Sequence, residues 1–373
     1  MGYQQVIEEL VLTAQAPAHA VRQAMARSGK KAVGCFPVYA PEEIVYAAGM
    51  LPVGMWGGPT VGNRNSRYLQ SFCCSIIRAN TEQALRGDYD LLSAIVIPAF
   101  CDTLKCTIEN WKVALPDSNI IPVVYAQNRK TPAGRTYMRE EFQRVCRCLE
   151  QISGHEINQS SLSDALDLYD DYRRTMQAFT EIVPSYPDVF TPRIRHMVIK
   201  AGFFMDKAEY TAKIKALLED LPPIEISSHK RIVLTGIMSE PVEFLDILGD
   251  NGFVIAADDL AQESRQFRTI GAYSADPFDR MVDRIAHQDG CSLLYDEGKT
   301  RGGRLIDLVK KTGAAGVIFC QMKFCDPEEF DFPIVKKELA AAGVPLLYVE
   351  LEQQMRSMEQ LRTQVETFAE LLL

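Results

Sequence analysis

A chain of 373 residues is long enough for two domains, since one domain usually takes about 100–200 residues. Acidic side chains outnumber basic ones by 49 to 40, which argues against a broad surface for nucleic acid or for an anionic membrane. The N-terminus does not resemble a signal peptide, and no apolar run approaches the roughly 18 residues of a membrane span, so we expect a cytoplasmic protein.

The first 133 residues alternate short apolar strands with helices. Strands are predicted at Lys31–Phe36, Leu51–Trp56, Leu91–Pro98 and Ile120–Tyr125. Helices are predicted over residues 3–29, from Pro41 to Gly49, over Arg67–Arg86 and over Thr107–Ala114. Strands without a polar face are typical of a parallel sheet that helices cover on both sides. We therefore expect an N-terminal α/β lobe over residues 1–133.

The pattern then changes twice. Residues 134–225 show helical periodicity and no strand, with a long amphipathic helix over 161–183 that Ser163 would cap. In residues 226–373 the alternation returns, with strands predicted at Arg231–Gly236, Phe253–Ala257, Ser292–Tyr295, Gly316–Cys320 and Pro345–Leu351. Helices are predicted at Pro241–Leu248, at Pro333–Ala342 and at the C-terminus. The sequence predicts an α/β fold of two parallel-sheet lobes, Rossmann- or flavodoxin-like, with a helical insert.

Ten cysteines in a cytoplasmic protein favour metal binding or redox work over disulfides. Ligands of open parallel sheets bind beyond the carboxyl ends of the strands, and Cys101 and Cys325 each follow such an end. The pair Cys73–Cys74 lies where a loop leads into a helix. Thiolates from both lobes could together hold an iron–sulfur cluster with one open position, or zinc.

The other cysteines have a simpler interpretation. We expect the small apolar side chains of Cys35, Cys146, Cys148 and Cys291 to be core residues or incidental. Cys106 and Cys320 lie near the candidate ligands and remain alternatives to them.

Other motifs are few. No phosphate-binding GxxxxGK[ST] loop, HExxH pair or GxSxG elbow occurs, and the glycine-rich stretch Gly54–Gly62 lacks the GxGxxG spacing, which favours a flexible loop. The segment Asp258–Arg268 places two carboxylates at a strand end and two arginines shortly after. It is either a solvated, salt-bridged turn or a functional segment in which Arg265 or Arg268 holds a phosphate or a partner's carboxylate. As a functional segment, it would serve a subunit or activator interface or support the cysteine site.

Several segments in order resemble one family over nearly the whole chain: GKKAVGCFPVYAPEEIVYAAGMLPVGMWGG, SFCCSIIRA, VIPAFCDTLK, AADDLAQESRQFRT and GVIFCQMKFCDPEEFDFPIVKKEL. The family is that of the 2-hydroxyacyl-CoA dehydratases, and the likeness is closest to the smaller (β) subunits of the 2-hydroxyisocaproyl-CoA, lactoyl-CoA and phenyllactyl-CoA enzymes. Benzoyl-CoA reductase subunits are more distant relatives.

The resemblance implies a site. The family's [4Fe–4S] cluster cysteines fall on Cys74, Cys101 and Cys325, with Cys73 and Cys320 as the neighbours that compete for the first and third places. Some relatives have a cysteine where this chain has Ala40, so position 40 is not a ligand here. No side chain of this subunit is implied as a catalytic acid, base or nucleophile.

The resemblance also implies an activity. The enzyme would be a lyase (a hydro-lyase, or radical dehydratase) of anaerobic amino-acid fermentation that converts an (R)-2-hydroxyacyl-CoA into the (E)-2-enoyl-CoA through a ketyl radical. Its larger α subunit would bind most of the substrate, and an ATP-dependent iron–sulfur activator protein would inject the electron. This chain would relay or store that electron within the heterodimer. The alternatives are a benzoyl-CoA-reductase-like electron-transfer subunit and a non-catalytic assembly subunit.

Overall fold

The computed structural model describes residues 2–224 and 228–372 of the chain. The boundary predicted between residues 225 and 226 therefore lies outside the described residues. Within these two ranges, no helix is long and apolar enough to cross a membrane.

The N-terminal lobe is built on a parallel sheet of four strands: β1 (Ala32–Cys35), β2 (Leu51–Gly54), β3 (Leu92–Pro98) and β4 (Ile120–Val123). The strand order is β2-β1-β3-β4, and all neighbours run parallel. Five helices precede or connect these strands: α1 (Tyr3–Gln15), α2 (Pro17–Ser28), α3 (Glu42–Ala47), α4 (Ser75–Leu85) and α5 (Asp102–Ala114). All four predicted strands of this lobe are confirmed.

Helices alone fill the middle of the chain, as predicted: α6 (Pro132–Ser153), α7 (Gln159–Ile182), α8 (Pro192–Ala201) and α9 (Lys207–Glu219). The predicted cap of the long helix is wrong. Asn158 caps α7, because its side chain accepts a hydrogen bond from the N–H of Ser161, and Ser163 lies inside the first turns. The first helix, α1, packs on α8 and α9, while α6 packs on strand β4.

The C-terminal lobe repeats the architecture with β5 (Lys230–Gly236), β6 (Phe253–Leu260), β7 (Gly316–Met322) and β8 (Leu346–Leu351). Its helices are α10 (Val242–Asp250), α11 (Ser264–Phe267), α12 (Pro277–Ala286), α13 (Arg301–Thr312), α14 (Asp326–Ala341) and α15 (Glu359–Leu371). The order β6-β5-β7-β8 is the same second-first-third-fourth order as in the first sheet. Two parallel α/β lobes are therefore confirmed.

One predicted strand is wrong. Residues 292–295 form turns between α12 and α13 and pair with no strand of the described chain. Their polar groups are engaged elsewhere: the Ser292 hydroxyl donates to Glu328, and the carbonyl of Tyr295 accepts from Arg129. The carbonyl of Tyr295 thus has a hydrogen-bond partner without a strand ladder.

Candidate metal centre

The three candidate ligands share one local structure. Cys74, Cys101 and Cys325 are each the residue that precedes a helix, at the starts of α4, α5 and α14 respectively. The backbone is extended at Cys74 and Cys101, as is usual for such a capping residue. Because the first N–H groups of a helix have no partner within the helix, a sulfur atom at this position can accept hydrogen bonds from them.

The residues that follow the cysteines explain why helices begin there. Asp102 follows Cys101, and Asp326 with Pro327 follows Cys325. A carboxylate in the first turn interacts favourably with the positive end of the helix dipole. Proline is accepted in the first turn because its missing N–H would lack a partner anyway.

The three thiols come from both lobes and lie within electrostatic reach of one another. A charge on Cys101 adds to the raised pKa of Cys74, and charges on Cys74 and Cys101 add to that of Cys325. All three side chains are partly buried. In residues 2–224 and 228–372, no three Cys, His, Asp or Glu side chains already form a site for a single metal ion.

Burial opposes the thiolate form at all three positions. It raises the pKa of Cys74 to about 12 and the pKa of Cys325 well above its ordinary value. It also raises the pKa of Cys101. Backbone N–H groups of the first helical turns act in the opposite direction, and those of Ile77, Leu104 and Glu328 are the strongest such donors to the three sulfur atoms. Each sulfur thus has a donor ready to stabilise negative charge, while the three charges would repel one another.

The competing cysteines occupy different surroundings. Cys320 lies within β7, is fully buried and packs in the apolar core of the C-terminal lobe. Cys73 is buried beside Cys106, which is exposed on α5. Cys35, Cys146 and Cys291 are buried, as their interpretation as core residues predicts, and Cys148 is partly buried.

A buried ion network lies behind Cys325. Glu328, in the first turn of α14, is fully buried and pairs with Arg301 at 2.8 Å and with Arg265 at 3.5 Å. Arg265 in turn pairs with the fully buried Asp259 at 2.9 Å. Burial opposes the charge of Asp259, but the surrounding guanidinium groups outweigh it and hold the pKa of this carboxyl well below its usual range.

These contacts decide between the interpretations of Asp258–Arg268. A solvated turn is wrong, because Asp258, Asp259 and Arg265 are buried. Arg265 and Arg268 both bind Asp259 of this chain, so their contacts here are internal. The segment is an internal support of the C-terminal lobe beside the cysteine site.

Sequence reasoning missed residues that join the lobes at this site. Ser75 directly follows Cys74 and contacts Met322 and Gln353 of the C-terminal lobe. No local signal could have identified these contacts, because the partners are more than 240 positions away along the chain. The helix starts did have a signal, namely the Cys-Asp pairs at 101–102 and 325–326.

Known proteins resemble the chain over its full length. Residues 37–372 match the family described as 2-hydroxyglutaryl-CoA dehydratase, D-component. The (R)-phenyllactyl-CoA dehydratase beta subunit of Clostridium sporogenes is 40% identical over 95% of this chain and 96% of the relative. The lactoyl-CoA dehydratase subunit beta of Anaerotignum propionicum is 38% identical over 98% of each chain. The (R)-2-hydroxyglutaryl-CoA dehydratase subunit beta of Acidaminococcus fermentans is 36% identical over the whole of both chains. The chain therefore belongs to the 2-hydroxyacyl-CoA dehydratase family, as its residue pattern predicted.

Proposed function

We propose that this chain is the β subunit of an (R)-2-hydroxyacyl-CoA dehydratase, a lyase, and that Cys74, Cys101 and Cys325 hold a [4Fe–4S] cluster. The observation that carries the proposal is that three cysteines from both lobes begin three different helices and lie within electrostatic reach of one another. The names of the relatives, all beta subunits of dehydratases that act on 2-hydroxyacyl-CoA thioesters, support the subunit and the substrate class.

The donor set fits such a group. Iron–sulfur clusters are held by cysteine thiolates, and three protein thiolates leave one iron for a non-protein ligand. In the metal-free chain, burial and mutual repulsion raise the pKa of Cys74 and Cys325. Iron would offset both effects, and the helix N–H groups would still donate hydrogen bonds to the iron-bound sulfur atoms.

The proposed chemistry assigns different tasks to different chains. When bound, the cluster would supply or store the single electron that a ketyl-radical dehydration to the (E)-2-enoyl-CoA requires. This chain's residues would hold the cluster between two lobes and keep bulk water from the buried side of the sulfur atoms. A larger α subunit would bind the acyl-CoA, and an ATP-dependent iron–sulfur activator would deliver the electron.

The first experiment tests the ligands. Wild-type chain and five alanine variants (at Cys73, Cys74, Cys101, Cys320 and Cys325) would be purified without oxygen and analysed for iron, sulfide, zinc and visible absorption. We expect about four irons per wild-type chain, as a [4Fe–4S] cluster has. Iron should be lost in the 74, 101 and 325 variants and retained in the 73 and 320 variants.

Other results would change the proposal in stated ways. Loss of iron in the Cys320 variant with retention in the Cys325 variant would show that Cys320, and not Cys325, is the third ligand. Stoichiometric zinc without sulfide would show that the site binds zinc and not an iron–sulfur cluster. A full cluster in all five variants would overturn the site.

A second experiment tests the reaction. The chain would be combined with its partner subunit and activator under anaerobic conditions, and incubated with ATP and either lactoyl-CoA or benzoyl-CoA. Formation of the enoyl-CoA from the first supports the dehydratase. Reduction of the aromatic ring in the second, without dehydration, would favour the electron-transfer alternative. No turnover by a complex with a full cluster would favour an assembly role.

A further inference from the structure

The first residue of helix α4 joins the two lobes. Ser75 is fully buried, and its hydroxyl donates to the sulfur of Met322 at 2.9 Å. The same oxygen accepts a hydrogen bond from the backbone N–H of Gln353 at 3.2 Å. Met322 is the last residue of β7, three residues before Cys325, and Gln353 follows β8. One hydroxyl beside Cys74 therefore contacts the ends of two strands of the opposite lobe.

The side chain of Gln353 adds a second connection. Its amide nitrogen donates to the carbonyl of Trp56 in the N-terminal lobe at 2.9 Å and to Glu240 in the C-terminal lobe at 2.8 Å. Its amide oxygen lies so close to Gly57 that a Cβ at that position would approach it to 2.6 Å. Gln353 is 4% exposed, so this contact is enclosed on all sides.

An ion pair continues the contact along α4. Arg78, one turn after Ser75, pairs with Glu352, the residue before Gln353. The start of the helix that carries Cys74 is thus held by a short segment of the C-terminal lobe through a hydroxyl, an amide and an ion pair. A buried hydroxyl is costly unless it is hydrogen-bonded, and here both of its partners belong to the other lobe.

We propose that Ser75 is a positioning residue, and that its contacts with Met322 and Gln353 fix the separation between Cys74 and Cys325. The expected effect on cluster retention rests on the proposed function. The contacts of Ser75 with Met322 and Gln353 do not, because they are present in the chain itself. Cys101 is on the same lobe as Cys74. The Ser75 contacts therefore control the distance from these two cysteines to Cys325 on the other lobe.

The test compares Ser75→Ala with Ser71→Ala. Ser71 lies four residues earlier and is exposed, which makes it a matched control. In cluster-loaded protein, Ser75→Ala should release iron to a chelator about tenfold faster than the wild type, as expected when a buried hydrogen bond of ordinary strength is lost. The electron paramagnetic resonance spectrum of the reduced cluster should also change, which a loss of global stability alone would not produce. Gln353→Ala should act in the same direction and serves as the second variant if Ser75→Ala folds poorly.

A measurement on metal-free protein separates the two proposals. A short bis-maleimide should cross-link Cys74 to Cys325, as read by mass spectrometry, and Ser75→Ala should lower the yield relative to wild type and to Ser71→Ala. Unchanged cross-linking and unchanged iron release in Ser75→Ala would overturn the inference while the proposed function stands. A wild-type chain that never binds iron would overturn the proposed function, and the cross-linking result would still decide the role of Ser75.

Discussion

Cys101 and Cys325 occupy equivalent places in the two lobes. Each lies three residues beyond the third strand of its sheet, since β3 ends at Pro98 and β7 at Met322. Each also begins the helix that follows. In both sheets the strand order reverses between the first and third strands, and ligands of open α/β sheets bind at such a point. The proposed site would therefore combine the same position of two similar sheets, with Cys74 as an additional donor from α4.

A cluster held by both lobes should stabilise the arrangement of the lobes. Removal of the iron by a chelator under anaerobic conditions should lower the thermal unfolding midpoint of the wild-type chain, because ligand binding to the folded state alone adds to its stability. Differential scanning calorimetry before and after chelation would measure the change. The Cys101→Ala variant, which should carry no cluster, is the control and should not respond to the chelator. An equal midpoint with and without iron would argue against ligation from both lobes.

The ion pair between Arg265 and Asp259 supports the C-terminal lobe. Replacement of Arg265 by alanine would leave Asp259 and Glu328, both fully buried, with one guanidinium fewer. Breaking a buried pair in this way costs about 3–5 kcal/mol in the free energy of unfolding. Urea unfolding at neutral pH would measure the loss, with Arg356→Ala as the control. Arg356 is exposed, and its removal should change the free energy by less than about 0.5 kcal/mol. A near-neutral Arg265→Ala would show that the remaining arginines compensate fully.

His196 makes the stability depend on pH. Its ring nitrogens contact Glu263 at 2.8 Å and Glu240 at 3.2 Å, so both must carry hydrogen. Burial opposes the imidazolium charge, but the hydrogen bonds to the two carboxylates outweigh it and raise the pKa of His196. A histidine whose pKa is raised in the folded state stabilises the fold fully at pH values below its unfolded-state pKa of about 6.5. This stabilisation is lost as the pH rises through the folded-state pKa.

The comparison of wild type with His196→Gln tests this. The difference in the free energy of unfolding between the two should be largest below about pH 6.5 and should shrink as the pH rises through the folded pKa of His196. Urea unfolding at a series of pH values would measure it. His155→Gln, at an exposed position, should follow the wild-type curve throughout. A difference that grows with pH would mean that His196 is neutral in the folded chain.

The sequence predicted the strands better than the helix starts. The buried strands have apolar residues on both faces, and their continuous apolar runs are visible in the sequence without knowledge of distant contacts. Helix α14 begins at Asp326, whereas the prediction began it at Pro333, because proline is disfavoured inside a helix. The prediction began α5 five residues late and α4 eight residues early. Cysteine is not among the usual capping residues, and no aspartate follows Cys74, so the feature that unites all three cysteines could not be read from the sequence alone.

The inter-lobe contacts were also beyond sequence reasoning. Arg129, between β4 and α6, is 1% exposed and is the clearest case. Its guanidinium donates to the carbonyls of Ile285 at 2.7 Å, Gln288 at 3.0 Å and Tyr295, and to the carboxylate of Asp289 at 2.8 Å. The four partners lie in the last turn of α12 or between α12 and α13, and nothing in the sequence around Arg129 indicates them.

Removal of Arg129 should therefore loosen the lobes. Arg129→Ala would leave the carbonyls of Ile285 and Gln288 without this buried donor, while Asp289 would keep its ion pair with Lys130. We expect a loss of about 1–3 kcal/mol in the free energy of unfolding. Arg129→Lys should recover only part of it, since one ammonium group cannot reproduce the planar fork of a guanidinium. Urea unfolding of the metal-free chain would measure both variants. Arg147→Ala, at an exposed position on α6, is the control and should stay within about 0.5 kcal/mol of wild type. If Arg129→Lys were as stable as wild type, charge alone, and not the geometry of the guanidinium, would hold the lobes at this point.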